Sequence, residues 1–149
     1  MLDLDLQSLK DQLTLQIRND KRYVYDPIRH KYLLLTPEEL VRQLLIAYLL
    51  TRKGYQPKRF AVEKQLEVFG LSRRFDILIF GPQLQPFLLA ECKAPQVPID
   101  QDTFEQISRY NLPVKAPYLL LTNGQATYCC RMDYANRQYH FVDELPALP

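Results

Sequence analysis

The spacing of apolar positions changes several times along the chain, and each change marks an element. In the first twenty residues leucines stand at 2, 4, 6, 9, 13 and 15, drifting from alternation to a helix-like interval that does not choose between strand and helix. RYVYD and KYLLL read as two short strands around the turn DPIRH, with Pro27 as the breaker. A helix then announces itself. Thr36 can cap it, Pro37 suits its first position, and Glu39 completes a T-x-x-E capping box. Leu40, Val41, Leu44, Leu45, Tyr48 and Leu49 follow at helical spacing, and Gly54 can end it. Three strand-like runs come next: FAVEKQLEVF, RFDILIF and PFLLAECKA. The stretch from Asp102 to Asn111 predicts a second helix, stopped before Pro113. YLLLT and ATYCCRM flank Asn123-Gly124, which predicts a hairpin with a type I′ turn, and QYHFVDE predicts a last edge strand.

RFDILIF and PFLLAECKA are apolar on both faces, so the sheet they build must be covered on both sides, with helices as the covers. The fold class is α/β. A length of 149 residues fits one domain, residues 1–149, with 1–22 as an N-terminal extension of open assignment. Composition changes this picture little. Apolar residues are 47% and charged residues 24%, a balance that excludes an intrinsically disordered chain. No run approaches the roughly 18 apolar residues of a membrane span. The opening MLDLDLQSLK lacks a basic segment leading into an apolar signal core, so a cytoplasmic location is expected. Three cysteines, two of them adjacent, suit neither a disulfide framework nor a zinc site.

Charge adds one local feature. Between Arg52 and Phe75 seven basic residues face two acids, an excess that can attract phosphate although the whole chain carries only +2. Taken alone, such a run is more often a solvated face.

The chemistry lies in the two central strands. Four residues, ILIF, separate Asp76 from the turn, and four more, FLLA, separate the turn from Glu91. If Phe80 faces Phe87 across an antiparallel pair, Asp76 stands opposite Glu91, and Lys93 two residues on shares their face. Two like charges so placed repel unless a cation lies between them. A divalent ion bound by oxygen is the economical choice, and magnesium takes one or two protein carboxylates while leaving room for substrate phosphate. Asp76, Glu91 and Lys93 then suit metal-assisted phosphodiester hydrolysis. The competing structural reading is an ion pair at a strand end. Glu39 can complete the metal site from the first helix, although the capping box alone also accounts for it. Glu38 is its substitute, and Glu63 is a further acid that equally suits a strand edge. Gln106 and Tyr110, four apart on the second helix, can contact substrate or hold Lys93, or simply face solvent.

The series RFDILIF, AECKA and QISRY resembles the PD-(D/E)XK nuclease superfamily, with its D…E-x-K core and Q-x-x-x-Y helix motif. More closely, YDPIRHKYLLLTPEELVRQ, RRFDILIF, LLAECKAP, QISRYN and LLLTNG resemble the N-terminal nuclease domain of type I restriction enzyme R subunits, from about Tyr23 to Arg131. The resemblance implies a restriction-endonuclease-like αβββαβ core, a mixed sheet flanked by helices, with extra strands at both ends. It implies a magnesium-dependent DNA endonuclease, manganese serving as a substitute, in which Asp76 and Glu91 bind the metal and Lys93 assists hydrolysis. Glu39 matches the helix acid most naturally, and Gln106 and Tyr110 match the helix motif. Arg74-Phe75 precede Asp76 where the superfamily name implies a proline. No phosphate-loop sequence occurs within these residues, so ATP-driven translocation would come from a separate motor, with a specificity subunit as a further partner. Two other readings compete: a catalytically idle nuclease-fold module that binds nucleic acid or protein, and a partner domain forming a homodimer through the KYLLL or QYHFV edge strands.

Overall fold

A computed structural model describes the backbone of residues 1–68 and 71–149, and their side chains except those of 65–68, 71–73 and 110. Phe69 at the end of the FAVEKQLEVF run, and the side chains of Glu67 and Arg73 in the basic stretch, lie outside the described residues. Nine strands and two α-helices are described: β1 Leu15–Arg18, β2 Lys21–Asp26, β3 Lys31–Leu34, α1 Pro37–Thr51, β4 Phe60–Val68, β5 Leu71–Phe80, β6 Pro86–Cys92, α2 Gln101–Asn111, β7 Tyr118–Thr122, β8 Thr127–Asp133 and β9 Gln138–Phe141. β1-β2-β3 form a small antiparallel sheet, and β4-β5-β6-β7-β8-β9 form a second sheet in sequence order. Within the larger sheet β6 and β7 run parallel and the other neighbours antiparallel, so the sheet is mixed. A parallel pair needs a crossover, and α2 supplies it.

The two-faced apolar pattern has its expected consequence. Ile77, Ile79, Leu88, Ala90 and Leu120 pack on one side with Val41, Leu44, Leu45 and Leu49 of α1. Leu78, Leu89, Leu119 and Leu121 pack on the other side with Phe104 of α2 and Ile99 before it. The unassigned N-terminus belongs to the first cluster. Leu2, Leu4, Leu6 and Leu9 are buried there, Leu6–Gln12 form a 3-10 helix, and the Leu2 amide donates to the Thr127 carbonyl at 2.8 Å.

Local chemistry corrects two expectations. Ile77↔Ala90, Leu78↔Leu89 and Ile79↔Leu88 pair as the four-residue runs require, but a shift after Ile79 sets Phe80 against Pro86 instead of Phe87. The loop absorbs the irregularity, with the Gly81 amide donating to the Gln85 carbonyl at 2.7 Å, so the inner register survives. In the β7–β8 hairpin only Gly124 has positive φ, at 90°, and Asn123 does not. The central pair is therefore Gly124-Gln125 with glycine first, the requirement of a type II′ turn and not the expected I′. The Asn123 carboxamide, accepting from the amides of Gln125 and Ala126 at 3.0 and 2.8 Å, draws this residue out of the turn centre.

Candidate active site

The first turn of α1 delivers the site's most connected side chain. Pro37 starts the helix, and Thr36 Oγ1 accepts from the Glu39 amide at 3.1 Å, half of the expected capping box. The other half is diverted, because the Glu39 carboxylate turns toward cations. Arg29 Nη2 donates to both of its oxygens at 3.0 Å, Arg42 Nη1 donates to Oε1 at 2.7 Å, and Gln43 Nε2 donates to Oε2 at 3.1 Å. Positions 39, 42 and 43 lie on one helical face by their spacing. Arg29 arrives from the β2–β3 turn, where Asp26 Oδ1 accepts from the amides of Ile28 and Arg29 and Oδ2 accepts from Arg29 Nε at 2.6 Å.

Arg42 reaches on to the sheet. Its Nη2 donates to Asp76 Oδ1 at 2.6 Å and Glu63 Oε1 at 2.7 Å, with Glu38 Oε1 at 3.4 Å. Burial disfavours its charge, but the hydrogen bond and field of Asp76, with Glu39 and Glu63, outweigh burial and hold its pKa above the ordinary value. Arg42 Nε is buried without a hydrogen-bond partner among the described residues.

Asp76 sits where the sheet loses its regularity. Val62↔Ile77 and Lys64↔Phe75 pair across β4 and β5, and between them Glu63 adopts a left-handed φ of 52°. Such backbone strain in a non-glycine residue costs about 1–3 kcal/mol and gathers at functional sites. Phe75 and Leu78 both join the α2-side cluster although they are three apart, so strict alternation slips at Asp76. Asp76 thereby meets Arg42 from α1 while its Oδ2 accepts the Cys92 amide of β6 at 2.8 Å.

The β5–β6 register, continued one step from Ile77↔Ala90, puts Asp76 beside Glu91. Burial first, and then the charge and hydrogen bond of Asp76, push the Glu91 carboxyl up from 4.5 to about 9, while Lys93 draws it down. Glu38 is raised too, by burial and then by Asp76, and Lys93 opposes this. Lys93 is held by its own amide, which donates to the Thr122 carbonyl of β7 at 2.9 Å. The structure thus brings Asp76, Glu91 and Lys93 into one electrostatic neighbourhood, with Glu38 and Glu63 beside them.

One prediction follows from the sign of the Glu91 shift. A carboxyl whose folded pKa is raised binds its proton more tightly in the native state, so its contribution to stability is complete below pH 4.5 and fades as pH rises toward 9. Glu91→Gln should flatten that slope in metal-free urea titrations between pH 5 and about 9. An unchanged slope would remove Glu91 as its source.

Other expected residues are placed differently. Asp76, Glu91 and Glu39 do not converge as a metal-ligand set, and no group of three His, Cys, Asp or Glu does so among the described residues. The physical reason is the diversion of Glu39 to Arg29, Arg42 and Gln43; the helix acid within the field of Glu91 is Glu38. Gln106 is exposed on α2, and no hydrogen bond joins it to Lys93 or the acids among the described residues. The Tyr110 side chain lies outside the described residues. Cys92, Cys129 and Cys130 are free and buried, and burial raises all three thiols. A cavity of about 520 Å³ lined by Arg109, Lys115, Tyr134 and Arg137 includes none of the clustered acids. Arg42, Asp26 and Arg29 join the site without a chemical motif of their own, and the local signal for Arg42 is its i, i+3 spacing from Glu39.

Fold and site together define an α/β protein with a carboxylate–arginine–lysine cluster between α1 and its mixed sheet, Arg42 and Asp76 buried and Glu91 and Lys93 half-buried. The chain belongs to the type I restriction enzyme R protein N terminus family, whose model matches residues 37–146 of the 149. That match begins at α1 and omits β1–β3, so Arg42, Asp76, Glu91 and Lys93 fall inside it while Asp26 and Arg29 fall outside. No curated protein matches the chain. No helix among the described residues is long and apolar enough to cross a membrane.

Proposed function

We propose that this chain is a magnesium-dependent DNA endonuclease domain of the PD-(D/E)XK type. The observation that carries the reading is the Asp76–Glu91 pair, two acids on adjacent strands whose burial and mutual repulsion raise Glu91 and call for an added cation. Hard carboxylate oxygens fit magnesium or manganese, and Glu38 would add a ligand from α1. The order from α1 onward, helix, three strands, helix, strand, supports a restriction-endonuclease-like core. Family membership supports DNA as substrate, with motor and specificity functions supplied by other segments or subunits.

When bound, the metal would polarise a phosphoryl oxygen and lower the pKa of an attacking water. The protein's own residues do the rest. Asp76 and Glu91 would hold the ion at the sheet, with Asp76 itself fixed by the Cys92 amide. Lys93, beside both Glu91 and Glu38, orients the water or stabilises charge on the phosphate. Lys58, Arg59, Lys64 and Arg74 near β4 and β5 would attract the DNA backbone without reading bases.

The test is nicking of supercoiled DNA with magnesium or manganese, with a chelator arm and Asp76→Asn protein beside it. Metal-dependent nicking by the wild type alone supports the reading. Folded wild-type protein that binds DNA but never cleaves it, even when supplied with a motor subunit, would instead make this a binding module.

A further inference from the structure

We propose that Arg42 is a built-in counter-ion that occupies the cation position of this site and must release Asp76 when a divalent metal binds. The inference rests on the metal-site reading above and adds the element that regulates it.

The geometry points to Arg42 in three ways. Its Nη2 carries only two hydrogens, yet it lies within 3.4 Å of carboxylate oxygens from Asp76, Glu63 and Glu38, on β5, β4 and α1. A nitrogen shared among three acids from three elements is held chiefly by charge, as an ion would be. Arg42 Nε supports this, because it is buried with no acceptor among the described residues. An arginine placed for hydrogen bonding alone would not leave that donor unmet.

The third point concerns which oxygens are free. Asp76 Oδ2 is committed to the Cys92 amide at 2.8 Å, and Oδ1 is committed to Arg42 at 2.6 Å. A divalent ion at the position that Arg42 Nη2 holds, between Glu38, Glu63 and Asp76, would take Oδ1. Two cations on one carboxylate oxygen repel, so Arg42 has to withdraw. On release it would keep one partner, since Nη1 donates to Glu39 at 2.7 Å and Arg29 holds the same carboxylate. Without metal the arginine neutralises the acids and favours the fold. With metal the same charge competes for the site.

The experiment is calorimetric titration of Mn²⁺, with thermal unfolding with and without Mn²⁺, on wild type, Arg42→Met and Asp76→Asn. Methionine keeps much of the side-chain length and removes the charge. Arg42→Met should bind Mn²⁺ more tightly by roughly tenfold or more. Its midpoint should fall without metal and gain more on metal addition than the wild type's does. If Asp76→Asn abolishes wild-type binding while Arg42→Met binds no tighter, the counter-ion proposal is overturned and the metal-site reading stands. If neither the wild type nor Arg42→Met binds Mn²⁺, both are overturned. Should Arg42→Met fail to fold even with metal, side-chain guanidinium NMR of ¹⁵N-labelled wild type decides. Arg42 signals, assigned by their loss in Arg42→Lys, should shift on adding Mg²⁺, and signals that do not move would overturn the proposal.

Discussion

Lys93→Met protein should fold, bind Mn²⁺ and cleave DNA on the order of 100- to 10,000-fold more slowly than the wild type, the usual range for removing a group that moves protons or stabilises transition-state charge. The fold should tolerate the change because the main chain holds this position: the Lys93 amide donates to the Thr122 carbonyl at 2.9 Å and the strand next to it is buried. What disappears is a positive charge beside Glu91 and Glu38. That loss has two separable effects. Lys93 lowers the Glu91 pKa, so its removal leaves Glu91 protonated to still higher pH and delays metal loading. If this were its whole contribution, raising the pH or the Mn²⁺ concentration would restore the rate. A role at the phosphate or the attacking water predicts a deficit that persists in single turnover at saturating metal and pH 9. A folded Lys93→Met enzyme with wild-type rates would remove lysine from the mechanism, and full recovery at high pH would reduce it to a modulator of Glu91.

How much of this was visible beforehand depended on the range of the interaction. The T-P-E-E start of α1 is chemistry among neighbours, so the Thr36 cap could be read directly and is present. The two-faced apolar runs around Asp76 and Glu91 required cover on both sides, and the α1 and α2 clusters supply it. Equal run lengths predicted the inner register, because pairing by twos leaves few alternatives once Leu78 and Leu89 must share a face. Loop detail was beyond that logic. The shift to Phe80↔Pro86 arises in a connection whose path periodicity does not encode. The site's polar wiring was less visible still. Glu63 and Asp76 are distant in sequence from Arg42 and meet it only when α1 closes on the sheet. A capping box told where Glu39 starts, and nothing local told that Arg29 would claim its carboxylate.

That wiring predicts the largest stability effect, at a residue remote from the acids in sequence. Asp26→Ala should destabilise the protein by about 3–5 kcal/mol, the range for breaking one partner out of a buried charge pair. Asp26 is fully buried and spends both oxygens: Oδ1 on the amides of Ile28 and Arg29, Oδ2 on Arg29 Nε at 2.6 Å and Gln43 Nε2 at 3.0 Å. Burial alone would raise its pKa; hydrogen bonds from Arg29, Ile28 and Gln43 outweigh this and hold it below the usual carboxylate value. A depressed acid contributes its stability above the unfolded pKa, so the difference between wild type and variant should be full at neutral pH and shrink as pH falls below about 4. Alanine at this position leaves the two turn amides without acceptors and frees the Arg29 guanidinium from one of its two anchors. Because the other anchor is Glu39, at 3.0 Å, the damage should propagate along α1. Asp26→Ala and Glu39→Gln should therefore be non-additive by roughly 1 kcal/mol or more, as expected for residues sharing one partner. Urea midpoints of the two single variants and the double variant check both figures. A loss below about 1 kcal/mol for Asp26→Ala, or strict additivity, would mean that the β2–β3 turn does not brace the arginine pair.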